Sequence, residues 1–437
     1  QARRRISAAP SRALRNASSL SGEAVQELES EYLLGTYAGA RPAGLSFVRG
    51  EGCNLYDAAG KKYLDFSSGI AVNCLGHSDP QWTSVVGEQL KTLVHVSNLY
   101  STEPAALLAK ELCEAASPWA KKAFFVNSGT EANEAAIKFA RKYQKTKKND
   151  PPSVLGLPLG KKAPTHFVAF SAGFHGRTMG ALALTSKKNY RTPFEPVMPG
   201  VTFADYNDLD SAARAIKKGK TCAVFVEPTQ GEGGVNSTTK EFLTGLRKLC
   251  DEAGALLIYD EVQCGLGRTG KMFAHQWYGE GAHPDIMTLA KPLAAGLPIG
   301  SVLMTDEVAA AISLGDHGST FAGGPFVCTS GLHVMSRLQE SGFLADVVSK
   351  GEYMLNRIKE EIGQKSAVVK EVRGKGLILG IEIEGSAGAI VGKARDKGLL
   401  VITAGEGNVV RLVPPLVVGR KEIDECVDIL KQCFDEL

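Results

Sequence analysis

The chain has 437 residues, 44% apolar and 22% charged, a balance that provides for a large core and excludes a disordered, fibrous or disulfide-stapled class. Its net charge of +3 sits at the start: Arg3, Arg4, Arg5, Arg12 and Arg15 fall within the first 22 residues with no acid among them. The remainder is two charges negative, which argues against nucleic acid or an anionic membrane as partner. No apolar run is long enough to span a bilayer, and nine scattered cysteines without a C-x-x-C pair argue for reduced thiols and against a zinc site.

In chain order, the Arg- and Ser-rich stretch 1–22 has the composition of an organellar transit segment, for mitochondrion or plastid, and a plain basic tail fits it too. Residues 21–35 carry helical spacing through Val25, Leu28, Tyr32 and Leu33. Three alternating runs at 45–48, 54–57 and 62–66 are separated by glycines and predict an antiparallel meander. A small-residue loop over 68–77 follows, then a helix over 81–93.

From residue 123 the pattern changes. Short apolar runs at 123–126, 166–170, 223–226, 255–259 and 286–289 alternate with helical stretches such as 131–143 and 240–252. Such alternation predicts an α/β fold, a mostly parallel sheet with helices on both faces. Residues 144–164, rich in Lys, Pro and Gly, read as a surface loop. Beyond about 330, a long helical pattern (329–361) gives way to strands at 368–372, 377–383 and 409–412 and helices at 389–397 and 421–434. The expected division is a tail (1–22), an N-terminal segment (23–85) packing with the small domain, a large domain (86–330) and a smaller α+β domain (331–437).

The chemistry gathers at strand ends. The buried run 255–259 leads straight into Asp260-Glu261, and a buried carboxylate needs a partner of opposite charge. At the carboxyl end of an open α/β sheet, that partner is expected to be cationic. Lys291 stands alone in the apolar run Thr288-Leu289-Ala290-Lys291-Pro292-Leu293, where desolvation lowers an amine's pKa and makes it a nucleophile toward carbonyls. A strand-end Asp with an isolated Lys suits pyridoxal phosphate, the Lys forming the Schiff base and the Asp pairing with the pyridinium nitrogen.

Three further stretches follow strands. In 127–134, the amides of Gly129 and Thr130 at a helix start form an anion site, and an ordinary capped helix fits the pattern equally. In 170–178, Phe174 and Arg177 can stack on a ring and grip a carboxylate; His175 reads as satisfying a neighbouring backbone group. In 227–234, Glu232 is placed to pair with Arg411, a lone charge in the apolar strand 409–412, as a switchable gate or as a structural ion pair. Gly265 to Gly270 matches G-x-G-x-x-G literally, with Asp285 twenty residues on. The match is read as chance, because Asp260–Cys264 intervene and two acids stand where a pyrophosphate would go.

Taken together, Asn127 to Asn133, Phe174 to Thr178, Glu227-Pro228 with Gln230 to Gly233, Asp260 to Gln263, Ala290-Lys291, His317 to Phe321, and Arg411 with Pro414-Pro415 resemble the class III pyridoxal-phosphate aminotransferases. The resemblance runs from about residue 31 to the end, and within the class it is most similar to the acetylornithine aminotransferases of arginine biosynthesis. It implies a fold-type I homodimer with shared active sites, acting on N-acetylornithine and 2-oxoglutarate or glutamate. Lys291 would carry the cofactor and move the proton, and Asp260 would hold the pyridinium nitrogen. Gln263 would touch the ring hydroxyl, with Phe174 and Val262 on the two ring faces. Gly129 and Thr130 would bind the phosphate, with Thr320 from the other subunit. Arg177 and Arg411, with Glu232 and Ser319, would take the substrate.

Ornithine aminotransferases share nearly all these residues; the tyrosine expected near Gly69-Ile70 to grip free ornithine is missing. Succinylated relatives of acetylornithine are neighbouring substrates. A NAD-dependent dehydrogenase built on Gly265–Gly270 and a non-catalytic binding relative are the alternatives of a different class; retention of both Lys291 and Asp260 argues against the latter.

Overall fold

The computed structural model describes residues 20–36, 42–148 and 162–437. The transit-like tail, up to residue 19, lies outside the described residues, as does the middle of the 144–164 loop. The helix before that loop runs on to Lys148, past the expected end at 143. Gln144 accounts for part of the extension: it is buried, and its Nε2 donates to the carbonyls of Gly254 (2.8 Å) and Cys222 (3.1 Å), tying the helix to the sheet beside it.

The expected meander forms from β1 (Phe47–Glu51), β2 (Asn54–Asp57) and β3 (Lys62–Asp65), all antiparallel. The body is built from β4 (Lys122–Val126), β5 (His166–Phe170), β6 (Val201–Ala204), β7 (Thr221–Val226), β8 (Leu256–Asp260), β9 (Ile286–Leu289) and β10 (Gly300–Met304). Among the described residues these make one seven-stranded sheet in the order β4-β10-β9-β8-β7-β5-β6. β10 alone runs against its neighbours; the others are mutually parallel. The sequence reading missed β6 and β10. β10 opens on Gly-Ser, which weakens a strand signal, and the partly exposed β6 (Val-Thr-Phe-Ala) is only four residues long.

Why this sheet is buried on both faces is visible in alternate residues. Val224, Val226, Leu257, Tyr259, Met287 and Leu289 join one core; Ala223, Phe225, Leu256, Ile258 and Ile286 join the other. The helix Gly129–Lys148 covers the second with small side chains (Ala132, Ala135, Ala136, Ala140), and Lys240–Ala253 covers the first with Phe242, Leu243, Leu246 and Cys250. Each fully buried Leu, Ile or Phe is worth about 1.5–3 kcal/mol.

The C-terminal part carries β11 (Val369–Lys375), β12 (Ile378–Ile383), β13 (Leu399–Leu400), β14 (Ile402–Ala404) and β15 (Val409–Leu412). β11-β12-β15-β14 form one sheet, and β13 crosses to pair with β3, so the meander is completed by the far end of the chain. The long helical pattern over 329–361 splits into Pro325–Gln339 and Phe343–Ile358 at Gly342, whose φ of +84° lies in the left-handed region. No helix among the described residues is long and apolar enough to cross a membrane.

Candidate active site

β8 ends on Asp260, only 4% exposed, so its charge must be met inside the protein. Its Oδ2 accepts from Asn133 Nδ2 (2.8 Å) and lies 2.8 Å from His175 Nδ1; its Oδ1 accepts from the Val262 amide (3.1 Å). Asn133 is itself fixed, donating to the His175 carbonyl (2.7 Å) and accepting from Thr288 Oγ1 (2.8 Å). Burial alone would depress the His175 pKa, but the hydrogen bond and charge of Asp260, with Glu227 beyond, lift it above the ordinary value. His175, which the sequence reading had given to a neighbouring backbone group, is thus a side-chain partner of Asp260.

Glu227 lies behind this pair. It accepts from the amides of Phe174 (2.9 Å) and Gly231 (3.3 Å) and so ties the 170–178 loop to the 227–234 loop. Burial, reinforced by the charge of Asp260, pushes its carboxyl up to about 7 against the opposing pull of His175 and the amides.

Past β4 the chain turns into the helix Gly129–Lys148 through a reciprocal cap. Glu131 Oε2 accepts from the amide (2.6 Å) and Nδ2 (3.0 Å) of Asn127, and Ser128 Oγ accepts from the Glu131 amide (3.2 Å). The first amides of such a helix have no intrahelical acceptor and face outward with the positive dipole end. A Cβ on Gly129 would lie 2.6 Å from Val262, so glycine is what lets Val262 close over this turn. Thr130 Oγ1 joins the turn to the neighbouring loop, bonded to Thr178 Oγ1 (2.9 Å) and accepting from the Arg177 amide (3.2 Å).

Lys291 follows β9 by two residues, at a φ of +29° that side chains rarely adopt. Burial, then the nearby positive charge of Arg411, lowers its amine to about 8, against the pull of Asp260, Glu227 and Glu232. Its amine makes no hydrogen bond or ion pair among the described residues. A lysine made nucleophilic, a buried carboxylate and an open helix N-terminus form a donor set that fits an aldehyde-bearing pyridine phosphate.

At the mouth, Arg411 in β15 is 2% exposed; its Nη1 donates to Gln263 Oε1 (2.9 Å) and its Nη2 to Glu232 Oε2 (3.3 Å). The expected Arg411–Glu232 contact is therefore present, and Gln263 is joined to it. Arg177 is exposed, its guanidinium 3.7 Å over the Tyr190 ring and 5.7 Å from that of Phe174. Ser319 Oγ accepts from Asn127 Nδ2 (2.8 Å), which puts it beside the helix start. Thr320 is exposed on the single chain. The G-x-G-x-x-G stretch is packing: a Cβ on Gly270 would lie 2.3 Å from Val348, and Arg268 is buried, donating to the Leu377 carbonyl (2.9 Å). Asp285, its supposed ribose partner, pairs with Arg247 (2.8 Å).

This arrangement has known counterparts. Residues 37–434 match the family model described as Aminotransferase class-III. The chain belongs to the class-III aminotransferases, and membership makes it a transferase for which the family implies pyridoxal phosphate. Among curated relatives, the mitochondrial acetylornithine aminotransferase of Alnus glutinosa is 55% identical over 413 residues, covering 94% of this chain and 88% of its own. The acetylornithine aminotransferase of Methanocaldococcus jannaschii is 43% identical, covering 94% and 98%. Among solved structures, the ornithine aminotransferase of Toxoplasma gondii superposes with a TM-score of 0.87 at 28% identity, covering 95% and 96%. The N-acetylornithine aminotransferase of Stenotrophomonas maltophilia gives 0.76 at 33%, covering 94% and 98%.

Proposed function

We propose that this enzyme transfers the terminal amino group of N2-acetyl-L-ornithine to 2-oxoglutarate, giving N-acetyl-L-glutamate 5-semialdehyde and L-glutamate, a step of arginine biosynthesis. The observation that carries the reading is the 40–55% identity, over nearly the whole chain, to relatives named acetylornithine aminotransferase. The pocket is consistent with it.

Bound pyridoxal phosphate supplies an electron sink for the carbon–hydrogen bond that breaks. The amides of Gly129 and Thr130 would hold its phosphate, joined by Thr320 of the partner subunit. Phe174 and Val262 would confine its ring, Gln263 would meet the ring hydroxyl, and Asp260 would keep the ring nitrogen protonated. The network of Asn133, His175 and the Val262 amide holds the Asp260 carboxylate in place. Lys291 Nζ, neutral above about pH 8, would hold the cofactor and would then take a proton from the substrate carbon that bears the amine and give it to the cofactor's aldehyde carbon. Arg177 takes the carboxylate of the amine donor. Arg411, freed from Glu232, takes the second carboxylate of 2-oxoglutarate, and Ser319 steadies the phosphate side through Asn127.

We further infer a homodimer and an organellar location, in mitochondrion or plastid; several relatives are named mitochondrial. Leu99 (82% exposed), Tyr100 and Phe321 (both 71%) share one surface, where Asn98 Nδ2 donates to the Ser319 carbonyl (2.9 Å) and His95 meets the Phe321 ring. Apolar side chains so exposed next to Thr320 suit a subunit face. The function is tested by incubating purified enzyme with N-acetylornithine or ornithine plus 2-oxoglutarate and identifying products by mass. Semialdehyde from N-acetylornithine at the higher kcat/KM is expected; a preference for ornithine would overturn the substrate assignment.

A further inference from the structure

Glu232 is held from two sides, and only one side belongs to the gate described above. Its Oε2 accepts from Arg411 Nη2 (3.3 Å). Its Oε1 accepts from Tyr190 OH (3.2 Å) and from Lys187 Nζ (3.4 Å). Lys187 also donates to the Gly405 carbonyl, which pins its ammonium in place, and only 13% of its side chain is exposed. Tyr190 in turn carries the Arg177 guanidinium on its ring face at 3.7 Å. Both residues come from one short segment after the 170–178 loop, so one helical turn touches the whole substrate mouth.

A carboxylate 24% exposed loses much of its hydration and needs donors wherever it rests. When a substrate carboxylate takes Arg411, Glu232 forfeits its strongest partner. With Lys187 and Tyr190 already on its other oxygen, it swings away without becoming unpaired. We propose that Lys187 and Tyr190 form the open-state seat of Glu232 and so set how readily Arg411 is released to a second carboxylate. They are positioning residues that govern the choice between a monocarboxylate amine donor and a dicarboxylate acceptor. Removing either strengthens the hold of Glu232 on Arg411 and leaves the displaced carboxylate with fewer donors, so both effects close the gate. The inference rests on the function proposed above.

The test uses the holoenzyme and follows each half-reaction by the cofactor's own absorbance. Binding of glutarate, a dicarboxylate with no keto group, is measured by shift in thermal midpoint. Lys187→Met is expected to weaken glutarate binding and raise the half-saturation for 2-oxoglutarate by about tenfold, the loss of one charge-assisted hydrogen bond. The corresponding change for N-acetylornithine is smaller by about the same factor, because that substrate leaves the gate shut. Lys187→Arg restores most of the loss, and Tyr190→Phe shifts the same constants in the same direction should Lys187→Met not fold. In a Glu232→Ala background the Lys187→Met effect on glutarate disappears. Parallel losses in both half-reactions, or an undiminished effect in the Glu232→Ala background, would overturn the proposal. Wild-type enzyme that turns over neither substrate pair refutes the underlying function instead.

Discussion

The Asp260 side chain has little freedom: three donors converge on a carboxylate that water hardly reaches. Hydrogen bonds to a charged group are worth about 1.5–3 kcal/mol each, so His175→Ala should lower kcat by roughly ten- to a hundredfold with little change in KM, measured by steady-state kinetics. Lys291→Ala should remove at least about a thousandfold of activity, since the proposed function gives one side chain both the cofactor and the proton. The pH dependence has a definite sign. Burial and Arg411 bring the Lys291 amine to about 8, so the neutral form is present above that value and lost as pH falls through it. Cofactor-free enzyme should therefore take up pyridoxal phosphate at a rate that climbs with pH and levels off near 8. A rate still climbing near the ordinary lysine value of 10.5 would contradict the shift. Lys291 could be singled out in sequence because it is a lone charge in an apolar run, and Asp260 because a buried apolar run leads straight into it. His175 was not, because its partner is 85 residues away and nothing local marks the pairing.

At the scale of elements, the strands with uninterrupted apolar runs could be read, and those without them could not. β8 announces itself by five buried positions, whereas β10 is identified only by its pairing with β4 and β9, which tertiary contact supplies. The helix break at Gly342 was hidden for a similar reason: apolar spacing continues on both sides of it. No side chain would crowd a Cβ there, so Gly342→Ala tests the backbone alone and should cost about 1 kcal/mol, read from the urea midpoint. Gly129→Ala is a different experiment. Its Cβ meets Val262 at 2.6 Å, so it should push that residue off the helix start and weaken cofactor retention on dialysis while the fold persists.

For the whole molecule, the exposed apolar surface around Phe321 is where the proposed homodimer would form. Thr320 and Phe321 stand exposed, and in the proposed homodimer Thr320 would reach the phosphate site of the partner subunit. Phe321→Asp should shift sedimentation toward a monomer and lose pyridoxal phosphate affinity together; loss of one without the other would separate the surface from the site. The overall architecture was readable because βα alternation and a terminal meander constrain it strongly. The pairing of β3 with β13 was not, since it joins residues more than three hundred positions apart.

The most direct test of the central claim is the visible spectrum of purified enzyme as substrates are added in turn. A yellow band that bleaches with N-acetylornithine and returns with 2-oxoglutarate is expected. A protein that stays colourless after added pyridoxal phosphate, or one that bleaches with ornithine alone, would contradict it.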